Sequence, residues 1–99
     1  MAKSFSIKLA PSAIDDLKEA ILWYESRLVE GLAQKFMTHV DVSLSQLATV
    51  PGKGSIRYSN IRCSPVNKFP YLIHYEIEVK TKSIIVYRIF CTYRKQLSE

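Results

Sequence analysis

The sequence predicts an α+β domain of order β-α-α-β-β-β, an antiparallel sheet with an N-terminal helical hairpin packed on one face. Two stretches of helical apolar periodicity follow one another with a break at Gly31. Pro51-Gly52-Lys53-Gly54 then sets three helix breakers in four residues. From there to the end, apolar residues recur with the period of two that strands require.

Each element has its own signature. Phe5, Ile7 and Leu9 alternate with Ser6 and Lys8 as a half-buried strand does, and Pro11 stops them. Ser12 is expected to start the first helix, because Ser12-x-x-Asp15 has capping-box spacing and Asp15, Asp16 and Glu19 lie toward the positive end of the helix dipole. Ile14, Leu17, Ile21, Tyr24 and Leu28 form its apolar stripe, widened by Leu22 and Trp23. After Gly31, residues Leu32, Phe36, Val40, Leu44 and Leu47 share one face of a second helix, and so short a turn implies antiparallel packing of the two. Ile56 to about Pro65 reads as one weak polar strand, interrupted near Ser59-Asn60. Tyr71, Ile73, Tyr75, Ile77 and Val79 alternate with Leu72, His74, Glu76 and Glu78, a one-sided strand. Ile84 to about Thr92 is apolar on both faces except at Arg88, as suits a strand with neighbours on both sides.

Composition bounds the function. A chain of 99 residues that is 47% apolar and 23% charged makes one domain, residues 1–99, with a core of its own. No apolar run approaches the roughly 18 residues of a membrane span, and the start lacks the apolar region of a signal peptide. Two cysteines 28 residues apart make no disulfide framework, so a cytoplasmic protein without membrane association is expected. The net charge of +5 is uneven: residues 1–50 balance at −1 and residues 51–99 at +6. Such a half favours phosphate backbones or an acidic protein.

Most familiar chemistries find no footing. His39, His74, Cys63 and Cys91 lack the paired spacing of zinc ligands, so no metal and no cofactor is expected. There is no nucleophile elbow and no phosphate-binding glycine loop. What is left is basic and aromatic: Lys53, Arg57, Tyr58, Arg62, Lys68, Arg88, Tyr93, Arg94 and Lys95. Guanidinium groups could neutralise a phosphorane during RNA cleavage, with a lysine or tyrosine moving protons. A solvated basic face explains Lys80, Lys82 and Arg88 at least as well.

These residues resemble the RelE/ParE superfamily, the toxin halves of type II toxin–antitoxin modules, over residues 5 to 95. The most specific stretch is Arg62 followed by Lys68-Phe69-Pro70-Tyr71-x-Ile73-x-Tyr75. Ala13, Asp16-Leu17 and Tyr24 in the first helix, Phe36 in the second, the Pro51-Gly52 break and the last strand with its trailing Arg94 fit as well. Two departures stand out: Cys91 replaces a histidine found in many ParE-type members, and no proline and tryptophan follow Arg94.

The resemblance implies a plasmid-stabilisation-type toxin that arrests growth and is neutralised by a cognate acidic antitoxin in a toxin–antitoxin hetero-oligomer. The Phe-Pro-Tyr motif and the long hairpin lean toward ParE, whose members poison DNA gyrase without hydrolysis. Lys53, Arg57, Arg62 and Tyr93-Arg94-Lys95 keep a RelE-like, ribosome-dependent mRNA endonuclease in view, a metal-independent enzyme with Arg62, Arg94 and Tyr93 as its catalytic set. An inactive domain that only binds antitoxin is the third reading. Lys53, Arg57, Arg62, Lys68, Arg94 and Lys95 are the expected target-binding residues, and Leu22, Trp23 and Leu28 the expected antitoxin-binding ones. An exposed sheet edge could accept an antitoxin strand.

Overall fold

The computed structural model describes residues 4–92. Its elements are β1 (Ser6–Leu9), α1 (Pro11–Glu25), α2 (Leu32–Thr49), a short 3-10 turn (Pro51–Lys53), β2 (Ser55–Tyr58), β3 (Ile61–Pro65), β4 (Tyr71–Glu78) and β5 (Ser83–Cys91). The five strands form one sheet in the order β1-β5-β4-β3-β2. Neighbours from β2 to β5 are antiparallel, but β1 runs parallel to β5, with Ile7 opposite Ile84 and Leu9 opposite Val86. The expectation of a purely antiparallel sheet is corrected to a mixed one. The helical hairpin carries the chain from one sheet edge to the other, so β1 is free to lie alongside the last strand in either direction.

Three local expectations also change. The segment from Ile56 to Pro65 is a hairpin of two strands, turning at Ser59-Asn60 with Ser59 at φ 46°. Helix α1 begins at Pro11, whose fixed φ and missing N–H suit a first helical position; Ala10 is the cap residue and no side chain caps the helix. The capping box at Ser12 therefore does not form, and no acid sits in the first turn. The buried stripe of α1 is Ala13, Leu17, Ala20 and Tyr24, with Ile21 packed beside it; Ile14 and Leu28 face solvent. A true 3.6-residue repeat through Leu17 passes through the two alanines, which a count of large side chains overlooks.

The core lies between the hairpin and one sheet face. Leu17 and Tyr24 of α1 and Phe36, Val40 and Leu47 of α2 meet Tyr71, Ile73 and Tyr75 of β4 and Ile84, Val86 and Ile89 of β5. Burying an aliphatic side chain of this size is worth about 1.5–3 kcal/mol, so this layer dominates stability. In β5 the alternation slips because Tyr87 is an extra residue: Val86 pairs with Tyr75 but Arg88 with His74. This β-bulge explains why β5 reads as apolar on both faces, and it moves Ile89 back onto the core side.

The Phe69-Pro70-Tyr71 motif is part of this packing. Phe69 stands edge-on to Tyr24 and Phe36, with ring centroids 5.3 Å apart in each pair, and Tyr71 lies 4.9 Å from Phe36. Offset and edge-to-face aromatic contacts add to area burial, so the motif locks the β3–β4 turn against both helices.

Candidate functional site

The cations expected to act together divide into four settings. Lys53, on the turn before β2, donates from Nζ to Gln46 Oε1 of α2 at 2.6 Å. Arg57 is the exposed extra residue of the irregular β2–β3 pairing, between the pairs Ile56–Arg62 and Tyr58–Ile61. Arg62 lies opposite Tyr75 and donates from Nη1 to the Gly54 carbonyl at 2.8 Å. All three belong to the β2–β3 hairpin or the turn that leads into it. Lys68 sits apart, in the β3–β4 turn beyond the far end of β3, exposed and at φ 69°. Tyr93, Arg94 and Lys95 lie outside the described residues.

Arg88 is not a solvated surface cation. Its Nε and Nη2 donate to the two carboxylate oxygens of Asp16 at 2.8 and 2.9 Å, and the Ile89 amide donates to the same carboxylate at 2.9 Å. β1 ends opposite Val86, so the Ile89 amide lies past its last pairing and Asp16 supplies the missing acceptor. The Asp16 bond raises the Arg88 pKa above its ordinary value. Asp16, expected as a partner of the helix dipole, ties α1 to the sheet.

The edge is fixed from within by Gly54. Its amide donates to Tyr75 Oη at 2.9 Å, while that hydroxyl donates to the Pro51 carbonyl at 2.7 Å. With Arg62 holding the Gly54 carbonyl, both backbone polar groups of this buried glycine are satisfied by side chains. Burial pushes the Tyr75 phenol up, opposed by the Gly54 amide and the Arg62 charge. A buried phenol held neutral is a structural strut and a poor proton acceptor.

The sequence reading missed a second cluster, on the sheet face turned away from the helices. His74 of β4 is buried there. Tyr58 Oη lies 3.2 Å and Cys63 Sγ 3.5 Å from its Nδ1, and the Phe90 ring stands edge-on to it at 5.1 Å. The Arg88 guanidinium lies 4.1 Å from the Phe90 ring centroid. Alternation along β4 puts His74 on this face, but only the pairings of Cys63 and Arg88 with it reveal the cluster. Next to it, Tyr87 donates to Glu76 at 2.9 Å, which raises the Tyr87 pKa.

Leu22, Trp23 and Leu28 are surface residues, 67%, 37% and 98% exposed. Trp23 packs edge-on to Tyr24 and carries the Arg27 guanidinium 4.1 Å from its ring centroid. Leu28 and Val29 line a hollow with Gly31, Leu32 and Ala33 at the hairpin turn. The cysteines are free, on β3 and β5 with β4 between them. Among the described residues no three His, Cys, Asp or Glu side chains converge as metal ligands, and no helix is long and apolar enough to cross a membrane.

A family model described as "ParE toxin of type II toxin-antitoxin system, parDE" matches residues 7–95. No curated protein sequence matches the chain. The fold is similar to that in a chromosomal ParDE system from P. aeruginosa (TM-score 0.73, 19% identity, covering 87% of this chain and 94% of that one). It is also similar to the RelBE2 toxin–antitoxin complex from Mycobacterium tuberculosis (TM-score 0.65, 13% identity, covering 92% and 94%). The isolated RelE toxin of E. coli superposes with a TM-score of 0.62 at 9% identity, covering 96% and 97%.

Proposed function

The chain belongs to the ParE toxin family of type II toxin–antitoxin systems, and from that premise we propose that it arrests growth by inhibiting DNA gyrase, without hydrolytic chemistry of its own. As a toxin of this class it has an antitoxin as partner. Residues 1–99 then act as one toxin domain in the cytoplasm, held inactive in a toxin–antitoxin hetero-oligomer, as a toxin–antitoxin complex is named for the M. tuberculosis protein.

The observation that carries the gyrase reading is how the described cations are employed. Arg62 is bonded to a backbone carbonyl, Lys53 to a glutamine and Arg88 to Asp16. Opposite Arg62 on β4 stands Tyr75, a buried phenol whose proton is held by its surroundings. This arrangement suits a rigid cationic recognition edge better than proton transfer to and from a ribose. Arg57, Lys68 and, beyond the described residues, Arg94 and Lys95 complete the proposed target-binding set. Leu22, Trp23 and Leu28 form the proposed antitoxin-binding set, supported by the exposed apolar surface they present.

A RelE-like endonuclease is the second reading, favoured by the Tyr58–His74 pair on the open sheet face, where a titratable ring lies beside aromatic surface. Induced expression without antitoxin, followed by two readouts, separates the readings. Loss of supercoiling by purified gyrase and double-strand DNA breaks support the gyrase reading. Cleavage of mRNA within translated codons overturns it in favour of the nuclease. Harmless expression overturns both and leaves an inactive antitoxin-binding domain. Arg62→Ala with Arg94→Ala is expected to abolish toxicity, and unchanged toxicity sinks this choice of residues.

A further inference from the structure

The outward face of α2 carries apolar surface that the fold leaves uncovered. Val42, Thr49 and Val50 line a shallow groove with Ser45 and Gln46, and Val42 and Val50 are 47% and 55% exposed. The groove is charged at both ends, with Asp41 on one side and Lys53 on the other. Asp41 makes no ion pair among the described residues. Lys53 bends back so that its ammonium reaches Gln46, 2.6 Å away. At 1.5 Å per residue, Asp41 and Gln46 are separated by roughly 8 Å along the helix axis. An anion and a cation therefore stand about one and a half turns apart beside the strip, on either side of Val42 and Ser45.

We propose that this face binds a second copy of the chain, two α2 helices crossing antiparallel about a two-fold axis near Val42 and Ser45. In a two-fold contact each residue pairs reciprocally. The Asp41 carboxylate of one copy then meets the Lys53 ammonium of the other, twice, around a centre of Val42 and Ser45, and Thr49 of each copy faces Thr38 of the other. Charge complementarity selects this occupant. The chain carries +5 overall, most of it from residues 51–99, so two copies repel where those basic halves face each other. This groove is balanced between one acid and one base, and matches itself. The face is also inexpensive to desolvate: the Thr49 hydroxyl already donates to the Ser45 carbonyl at 3.3 Å, and the Thr38 hydroxyl one turn beyond to the Gln34 carbonyl at 3.0 Å.

Sedimentation equilibrium of the full chain, made by cell-free synthesis, tests the proposal by mixing. Wild type is expected to dimerise with concentration. Asp41→Lys alone brings two ammonium groups together across the contact, and Lys53→Asp alone brings two carboxylates together. Each variant is therefore expected to self-associate at least about tenfold more weakly. An equimolar mixture of the two restores an opposite-charge pairing and is expected to recover association as a heterodimer. Circular dichroism of each variant confirms the fold, and the recovery on mixing itself requires both to be folded. A monomeric wild type overturns the proposal, as do single variants that dimerise normally or a mixture that stays monomeric. Capture of an acidic partner peptide on this groove by a monomer also overturns it.

Discussion

Tyr75 Oη takes the Gly54 amide at 2.9 Å and gives its own proton to the Pro51 carbonyl at 2.7 Å, so one β4 side chain holds the turn that leads into β2. Removing that oxygen strands a buried N–H, which costs about 1–3 kcal/mol. Tyr75→Phe keeps the ring in the core and is expected to lower unfolding free energy by about 2 kcal/mol, measured in urea.

The same phenol gives stability a pH dependence. Burial raises its pKa in the folded protein above the ordinary value of about 10 that the unfolded chain keeps. Its contribution is therefore complete below pH about 10 and is lost as pH rises from there through the folded pKa, because the unfolded state gives up the proton first. Stability measured across that alkaline window is expected to fall for wild type and to fall less for Tyr75→Phe. Tyr87, also raised but exposed, serves as the control: Tyr87→Phe is expected to change the slope little. Equal slopes in wild type and Tyr75→Phe would exclude Tyr75 as the source.

Gly54 has no room for a side chain. A Cβ there would lie 2.7 Å from both the Cys63 carbonyl oxygen and the Tyr75 hydroxyl, and the first of these is backbone that cannot swing away. Gly54→Ala is expected to destabilise by about 2–4 kcal/mol, in the range of strained overpacking. Combined with Tyr75→Phe the costs should add to less than their sum, since one clash is relieved and one bond is already gone. Thermal unfolding of the three variants checks this.

How far the sequence could be read follows from range. Helices, their order and the β4 alternation rest on local periodicity, and they appear where the pattern puts them. The direction of β1 depends on a pairing 77 residues away, Ser6 with Ser83, about which no local pattern speaks. Position sharpens the same lesson at the site. Arg62 is identifiable as special, but its bond to Gly54 depends on how the turn closes. Asp16, which looks like a helix-terminal charge, is explained by an unpaired amide on β5 that exists only because β1 stops at Leu9. His74 is invisible for a similar reason: its burial comes from Tyr58, Cys63 and Phe90, on three other strands.

Asp16→Ala is expected to cost about 2 kcal/mol, because it leaves the Ile89 amide without its acceptor as well as Arg88 without its partner. Asp16→Asn keeps an acceptor for one of the two and should cost about half as much. A double-mutant cycle with Arg88→Ala should give a coupling of about 1 kcal/mol, no larger, since the Arg88 side chain is 41% exposed and water screens the pair.

Lys68 and Leu28 both occupy the left-handed region, at φ 69° and 53°, where glycine sits without penalty. Left-handed backbone costs a side-chain-bearing residue about 1–2 kcal/mol, and glycine gives back about 0.5–1 kcal/mol of that in chain entropy. Each substitution to glycine should therefore leave stability unchanged or raise it by up to about 1.5 kcal/mol. That makes the pair clean probes of contact. Lys68→Gly is expected to weaken toxicity while leaving antitoxin affinity alone, as fits a target-binding cation. Leu28→Gly is expected to leave toxicity intact while lowering antitoxin affinity by about 1–2 kcal/mol, the value of a well-packed interface aliphatic. Toxicity assays and calorimetric titration with the antitoxin read the two effects separately. A variant that moves both, or neither, shows that its residue has been assigned to the wrong surface.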